Sequence, residues 1–359
     1  MNRKKIMGLL FVMLFVIILG TACKKSVGTP EDNAVVEEDT DQEDDEDKDQ
    51  AEEIEDVDQE DDDTDTVSTI SGDYTFGFSG INMENPFFSV LEKATREVIE
   101  AKDYTMVTRD PASDVETQIS QLEDMADAGV KVVFLCPVDW EKITPALEYL
   151  KEKDVAIVNV DTQVKEMDYV DAFVGSNNKE AGKICGEDLI SRKPDGGTVA
   201  ILEVSAQNSI NERITGFEET LSSAAVGFEV VAREDTNGTF DEGLEAAQKI
   251  LEEYPDVTAI MCGSDQLAVA AKTALNLANN SENTIIYGVD GSPDIKKELK
   301  KSGNQIVGTA AQSPINMGKD AAKIGISILK GDDYEKETYE DVFMINQKNV
   351  DMYGTDGWQ

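Results

Sequence analysis

Short apolar segments alternate with amphipathic stretches of ten or more residues from about residue 73 to the end of the chain. Segments such as KVVFLC, TVAILEV and TIIYGV are continuously apolar, as strands buried on both faces are, whereas VETQISQLEDMADAG has the period of a helix. This repetition predicts the α/β class, with doubly wound parallel sheets covered by helices. Because residues 73–359 exceed the size at which one core stops growing, we expect two lobes.

Polar and aromatic side chains follow the predicted strands. Ligands of open parallel sheets bind beyond the carboxyl ends of the strands. The segments at these ends are NMENPFF, DTQ, SAQNSINER, GSDQ, DGSPD and the glutamine that follows IVGTA. Their carboxylates and amides can bond hydroxyl groups, and their rings can pack on the apolar face of a sugar. The sequence therefore favours a site for a neutral sugar or polyol.

Simpler structural roles exist for some of these residues. Asp265 and Asp290 stand where helices are predicted to begin, so both could be caps or turn residues. Phe88 continues the apolar stripe of the helix that it opens and could be partly core. Phe87 lies off that stripe and is the better candidate for a ring that faces a ligand.

The first residues have the pattern of a secretory signal peptide. Basic residues 3–5 precede an apolar run that reaches Gly20, and small residues follow it. We expect residues 1–22 to be this signal. The ending LGTAC resembles the lipobox of bacterial lipoproteins, although Gly20 stands where leucine is usual, and it implies lipidation of Cys23. Ordinary secretion is the alternative.

The region after the signal is strongly acidic. Residues 31–66 contain 22 Asp or Glu and one lysine, Lys48. Such dense like charge with few apolar residues predicts a disordered segment. We expect residues 23–72 to be a lipidated N-terminus and an acidic linker that holds the body away from a membrane. Calcium binding is the alternative, but the segment lacks the spaced glycine of a calcium loop.

Charge and residue inventory exclude several functions. The chain has a formal net charge of −42 and no histidine, so we expect neither nucleic-acid binding nor histidine chemistry. It contains no CxxC, GxxxxGK[ST] or GxGxxG motif, and we expect no cofactor and no metal. Cys136, Cys185 and Cys262 are predicted to be buried hydrophobes. The enzyme that the residues still allow is a glycosidase with Asp161 and Asp290 as paired carboxylates.

Eight segments, in order, resemble the ribose- and galactose-binding group of type I periplasmic sugar-binding proteins, which serve ABC importers. They are NPFF, VDTQ, VGSNNKEAGK, ERITGFEE, YPDVTAIMCGSDQLAVAA, YGVDGSPD, GTAAQSPINMG and NVDMYG. The resemblance covers residues 73–359. LacI-type repressors share this body, but they begin with a helix-turn-helix where this chain has a signal.

The resemblance implies two lobes that close over a sugar. The lobes would comprise residues 73–176 plus 313–341 and residues 177–312 plus 342–359. The chain would cross between them at a hinge near Ser176–Asn177, Ala311–Gln312 and Asp341–Val342.

The resemblance also implies a set of ligand-binding residues. Those that match the family pattern are Asn85, Phe87, Phe88, Asp161, Arg213, Phe240, Asp290 and Gln312. Three further positions depart from the ribose binders: Thr162 and Asn211 replace arginines, and Ser264 replaces an asparagine. Losing two guanidinium groups removes many hydrogen-bond donors, so the predicted ligand is a sugar or polyol other than ribose.

The partners implied are the sugar, an ABC permease with its ATPase, and the membrane through a lipid anchor. We expect a monomer on the outer face of the bacterial cell membrane. The alternative function is a sugar-sensing lipoprotein that presents its ligand to a receptor kinase.

Overall fold

The structure, a computed structural model, describes residues 75–278 and 283–359. The predicted signal peptide, lipidated Cys23, the acidic linker and its calcium alternative lie outside the described residues. The strands are β1 (Phe76–Ser79), β2 (Met106–Arg109), β3 (Val132–Leu135), β4 (Ala156–Asp161), β5 (Ala172–Ser176), β6 (Gly197–Glu203), β7 (Phe228–Asp235), β8 (Ala259–Cys262), β9 (Ile285–Asp290), β10 (Ile306–Ala311), β11 (Glu337–Glu340) and β12 (Phe343–Asn346). The α-helices are α1 (Pro86–Glu100), α2 (Val115–Asp127), α3 (Thr144–Glu152), α4 (Asn178–Arg192), α5 (Asn208–Ser222), α6 (Phe240–Glu253), α7 (Asp265–Ala278), α8 (Pro293–Leu299), α9 (Pro314–Lys330) and α10 (Val350–Tyr353).

The strands form two six-stranded sheets with the same internal order. The first sheet runs β11-β5-β4-β3-β1-β2, and all its pairs are parallel. The second sheet runs β12-β10-β9-β8-β6-β7, and only its β10–β12 pair is antiparallel. The predicted α/β class with two parallel-dominated sheets is confirmed.

Burial on both faces explains the continuously apolar strands. In β3, Val132 and Phe134 join one core cluster, while Val133 and Leu135 join another on the opposite face. Successive strand residues point to opposite faces, so helices on both sides require apolar residues at every position. The three cysteines of the described region are free and buried, as predicted.

The chain passes between the two sheets three times. β5 of the first sheet ends at Ser176, and α4, which packs against α5 and β10, begins at Asn178. β10 of the second sheet ends at Ala311, and the following helix α9 packs against β3, β4 and β5. The last passage joins the end of β11 at Glu340 to the start of β12 at Phe343. This connectivity brings the carboxyl ends of strands from both sheets to one place.

Within the described part of the chain, none of the helices has the length and apolar character needed to cross a membrane. In the same part, no group of three or more acidic or cysteine side chains is arranged to hold a metal ion.

Candidate ligand-binding site

A cavity of about 360 Å³ lies where the strand ends of the two sheets meet. From the first sheet and its helices, the wall includes Asn82, Asn85, Phe87, Phe88, Ser113 and Asp161. From the second, it includes Gln207, Ser209, Arg213, Asn237, Thr239, Phe240, Ser264, Gln266 and Asp290. The wall therefore combines aromatic rings with carboxylates, amides and hydroxyls from distant parts of the sequence.

The Asn-Pro-Phe-Phe junction after β1 forms an aromatic part of this wall. Asn85 is the N-cap of α1, with extended backbone (φ −72°, ψ 120°), and its side chain accepts a 3.0 Å hydrogen bond from the Phe87 nitrogen. Pro86 suits the first turn because its missing N–H would have no partner there. The Phe87 and Phe88 rings meet edge to face, 5.3 Å apart, and both are buried. The cap and the proline thus turn two rings toward the cavity.

Asp161 ends β4 and presents an acceptor to the cavity. The residue is 3% exposed, and its Oδ1 is buried with no hydrogen-bond partner. Its φ of 68° lies in the left-handed region, which costs energy for a non-glycine residue and often accompanies function. Burial raises the pKa of Asp161 to about 6, and the positive charge of Arg213 opposes the shift. This carboxyl group is therefore placed to accept a hydrogen bond from a ligand.

Asp290 ends β9 and belongs to a hydrogen-bond network. Its Oδ1 accepts a 2.8 Å bond from Gln312 Nε2, and its Oδ2 accepts a 3.2 Å bond from the backbone nitrogen of Asp265, the first residue of α7. Its φ is 139°, a value that strongly favours glycine. Burial raises the pKa of Asp290, and Arg213 acts against that rise. The network fixes this carboxylate in place.

Asp265 supports the site from behind. Its carboxyl group is buried, accepting 2.7 Å bonds from Thr309 Oγ1 and from the Ser292 nitrogen. Burial and then the neighbouring Asp290 charge raise the pKa of Asp265. From the sequence, Asp265 and Asp290 could each cap the helix that begins beside it. In the structure, Ser292 caps α8, and Asp290 accepts a hydrogen bond from the first N–H of α7.

Arg213 supplies a positive charge among these acids. Its Nε donates to Asn178 Oδ1 and its Nη1 to the Gly263 carbonyl, both at 2.8 Å. Nη1 also lies 3.7 Å from Asp290 Oδ1, and the residue is 3% exposed. These contacts hold the guanidinium at the cavity wall, where it partly offsets the buried carboxylates.

The other predicted residues divide into two groups. Phe240 and Ser264 line the cavity. Gln312 is not among the wall residues, but it bonds Asp290 and has a buried Oε1 with no partner. Thr162 and Asn211 are not brought to the cavity wall. Thr162 Oγ1 accepts a 2.9 Å bond from the Ser209 nitrogen, and Asn211 Nδ2 donates to the Ser205 carbonyl at 3.0 Å.

Several wall residues were not singled out from the sequence. Gln207 and Ser209 lie in SAQNSINER, and Gln266 lies in GSDQ, so the strand-end rule found their segments. It could not say which side chain of each segment faces the cavity. Ser209 is notable because its buried Oγ has no partner. Asn237 and Thr239 belong to the short loop before Phe240, where no pattern indicated their direction.

The two groups of strand ends also touch each other directly. The Trp140 nitrogen donates to the Ala206 carbonyl at 2.9 Å, and the Ser209 nitrogen donates to Thr162 at the same distance. The second contact acts as a cap, because Gln207 makes no side-chain cap bond for α5. The structure therefore has the strand ends of the two sheets drawn together around the cavity.

Taken chemically, the cavity suits an uncharged ligand that carries many hydroxyl groups. The acidic residues of the wall outnumber the single guanidinium of Arg213, so an anionic ligand meets net negative charge. They are Glu84, Asp161, Asp241 and Asp290. Acceptor atoms without partners require hydrogen-bond donors from the ligand. The rings of Phe87 and Phe88 offer an apolar surface beside them.

Comparisons with known proteins agree with this geometry. Residues 76–333 match the model of a family described as periplasmic binding protein domain. The chain is 25% identical, over 264 residues, to the ribose import binding protein of Salmonella typhimurium, covering 73% of this chain and 87% of that protein.

Two solved structures establish the fold. An ABC transporter solute binding protein from Mycobacterium smegmatis with bound glycerol gives a TM-score of 0.74 at 23% identity, covering 80% of this chain and 99% of that chain. A Caulobacter myo-inositol binding protein gives 0.73 at 22% identity, with 79% and 96% covered.

Proposed function

Because the chain belongs to the periplasmic binding protein domain family, we propose that it captures a neutral sugar or related polyol in the cavity between its two sheets. Members of this family are binding proteins and not enzymes, so the paired-carboxylate glycosidase is set aside. The names of similar proteins mention ribose, glycerol and myo-inositol, which are all uncharged and hydroxylated.

One observation carries this proposal: two residues of the cavity wall have buried polar atoms without partners. They are Asp161 Oδ1 and Ser209 Oγ. Gln312 Oε1 also lacks a partner, and Gln312 bonds the wall residue Asp290. Leaving a buried polar atom unpaired costs roughly 1–3 kcal/mol. A polyol whose hydroxyls reach these atoms removes that cost, while its carbon skeleton packs on Phe87 and Phe88.

We also propose that the ligand is a sugar or polyol other than ribose. The resemblance implies that Thr162 and Asn211 replace arginines of the ribose binders, and neither side chain lines the cavity. Arg213 is therefore the guanidinium that remains at the wall. A site with fewer fixed donors should prefer a different pattern of hydroxyls, because unmatched polar groups are penalised strongly.

Ligand capture would involve movement of two lobes. We assign residues 73–176 plus 313–341 to the first lobe and residues 177–312 plus 342–359 to the second. The three passages between the sheets would act as the hinge. On closing, the lobes would form the Trp140–Ala206 and Thr162–Ser209 contacts, so these bonds favour the closed state.

The sequence and the family support a proposal for the cellular setting. An ABC permease with its ATPase would receive the sugar from the closed protein. The signal peptide and the LGTAC ending favour an extracytoplasmic lipoprotein attached through Cys23, and the acidic segment would keep the monomer off the membrane surface.

A thermal-shift screen across pentoses, hexoses, inositols and nucleosides tests this function. A ligand that binds only the folded state raises the free energy of unfolding by about 2.7 kcal/mol at a hundred times its Kd, and the melting temperature rises with it. We expect at least one neutral polyol to do so, and Asp161→Asn to reduce the shift. A panel in which only anions or amino acids stabilise the protein would overturn the proposal.

A further inference from the structure

A second cavity, of about 420 Å³, adjoins the first. The two cavities share Asn85, Phe240, Gln266 and Asp290 as wall residues. The two cavities are therefore neighbours, and a ligand large enough to fill both would contact these shared residues. The second cavity therefore bears on which compounds the site accepts.

The walls that belong only to the second cavity are largely apolar. They include Pro86 of α1, Val269 of α7, Pro293 of α8 and Trp358 of the C-terminal tail. With Phe240, they provide two aromatic rings and three compact aliphatic surfaces. Flat ring systems pack well on such surfaces.

The tail holds Trp358 in place by bonds on either side of it. The Gly357 carbonyl accepts a hydrogen bond from Lys296 Nζ, and the Gln359 carbonyl accepts one from Ser313 Oγ, both at 2.5 Å. The indole ring also meets the Phe87 ring edge to face at 5.6 Å. Trp358 is thus a fixed surface, so little freedom is lost when a ligand packs on it.

The charges on the second cavity wall disfavour anionic ligands. Asp265, Asp290 and Asp294 are the charged residues of the second cavity wall, and all are acidic. The nearby ammonium of Lys296 is bonded to a tail carbonyl and is not part of that wall. A phosphate or carboxylate would meet like charge here, which disfavours nucleotides and sugar acids.

We propose that the second cavity receives the planar, uncharged aglycone of a glycoside whose sugar occupies the first cavity. Nucleosides and aryl glycosides belong to this class. The inference rests on the proposed function, since the sugar must bind first. The ring would pack against Phe240 and Trp358, and aromatic stacking of this kind should tighten binding about tenfold.

Isothermal titration with matched glycosides tests the inference. For each sugar that binds, its neutral 4-nitrophenyl glycoside is compared with the methyl glycoside of the same anomer, and ribose and methyl riboside are compared with uridine and inosine. We expect the aryl compound or nucleoside to bind about tenfold more tightly. Sugar binding without this gain overturns the inference alone, and failure of every compound overturns the proposed function as well.

Val269→Phe provides a selective variant, because Val269 lines the second cavity and not the first. The larger ring should abolish the aryl advantage while methyl glycoside affinity stays within about twofold. Val269→Ala is the matched control and should retain the advantage. An equal loss for both glycosides would contradict the assignment.

Fluorescence gives a readout that does not depend on the Val269 variant folding. The chain has two tryptophans, so Trp140→Phe leaves Trp358 as the sole reporter. A bound 4-nitrophenyl group beside Trp358 should quench its emission, whereas the methyl glycoside should not. Equal emission with both bound ligands would place the aglycone elsewhere.

Discussion

The two sheets share a strand order but treat their acidic residues differently. Asp161 and Asp290 end the equivalent strands β4 and β9, and both have a positive φ. Asp161 keeps a buried oxygen without a partner, whereas both oxygens of Asp290 accept hydrogen bonds from the protein. One side of the site thus offers a free acceptor, and the other offers a prebuilt network.

The last strand of each sheet pairs differently as well. β11 joins the first sheet as a parallel strand, and β12 joins the second as an antiparallel strand. The chain after β12 then returns to the first sheet, where Trp358 packs on Phe87. The tail that follows the second sheet therefore contributes an aromatic ring beside Phe87 of the first sheet's helix α1. The strand order alone does not indicate this contact.

Replacing the networked carboxylate should have the largest effect. Asp290→Asn removes the charge beside Arg213 and the acceptor for the Asp265 nitrogen. We expect about a hundredfold weaker sugar binding, or about 2.7 kcal/mol. The free energy of unfolding should also fall by roughly 1–3 kcal/mol, since the buried Asp265 N–H loses its acceptor while the asparagine oxygen can keep the bond from Gln312. Unchanged stability in denaturant titration would contradict the difference drawn between the two carboxylates.

Replacing the free carboxylate should affect binding without destabilising the fold. Asp161→Asn removes a charged acceptor, whose bond to a hydroxyl contributes about 1.5–3 kcal/mol, so affinity should drop roughly tenfold to hundredfold. Stability should stay the same or rise, because a buried charge is removed. Asp154→Asn is the matched control: Asp154 has a φ of 55°, but it is exposed and outside the cavity. A marked loss of stability in Asp161→Asn would contradict this prediction.

The raised pKa of Asp161 predicts that the stability of the protein depends on pH. Burial raises the pKa of Asp161 to about 6 from 3.8, so the folded protein binds more protons than the unfolded chain between these values. The contribution of Asp161 to stability is full below pH 3.8 and is lost as the pH rises through 6. The melting temperature of Asp161→Asn relative to the parent should therefore rise from pH 4 to pH 8. A constant difference would show that Asp161 titrates normally.

Breaking the cap between the sheets should have the smallest effect. Thr162→Val removes the acceptor for the Ser209 nitrogen at the start of α5, and a lost cap costs about 1 kcal/mol. We expect about fivefold weaker binding, because closure is disfavoured while the cavity wall is unchanged. Thr162→Ser keeps the hydroxyl and should restore affinity. Equal weakening by both substitutions would show that the Thr162 hydroxyl does not favour binding by capping α5.

The sequence predicted the α/β fold for physical reasons and named segments that the structure brings to one cavity. Buried parallel strands must be apolar throughout, and their carboxyl ends must meet, so segments such as NPFF and DGSPD could be assigned to one cavity. The strand-end rule does not fix side-chain direction. For that reason, Ser209 was not singled out. Thr162 was named from the family resemblance, and in the structure its hydroxyl accepts the bond that caps α5.

The second cavity could not be predicted because it depends on packing between distant segments. Trp358 lies 65 residues after Pro293, and its side chain is placed by contacts of the tail with Lys296, Ser313 and Phe87. The letters TDGWQ have no periodicity and suggest no partner. Such tertiary contacts override what local pattern can indicate.

A crystal structure of the protein with the tightest-binding sugar from the screen would show whether the cavity between the sheets is the binding site. We expect one sugar between the sheets, with a hydroxyl within 3.2 Å of Asp161 Oδ1. A ring of Phe87 or Phe88 should lie against its carbon skeleton. A sugar bound outside this cavity, or one that leaves both Asp161 and Asp290 without a contact, would contradict it.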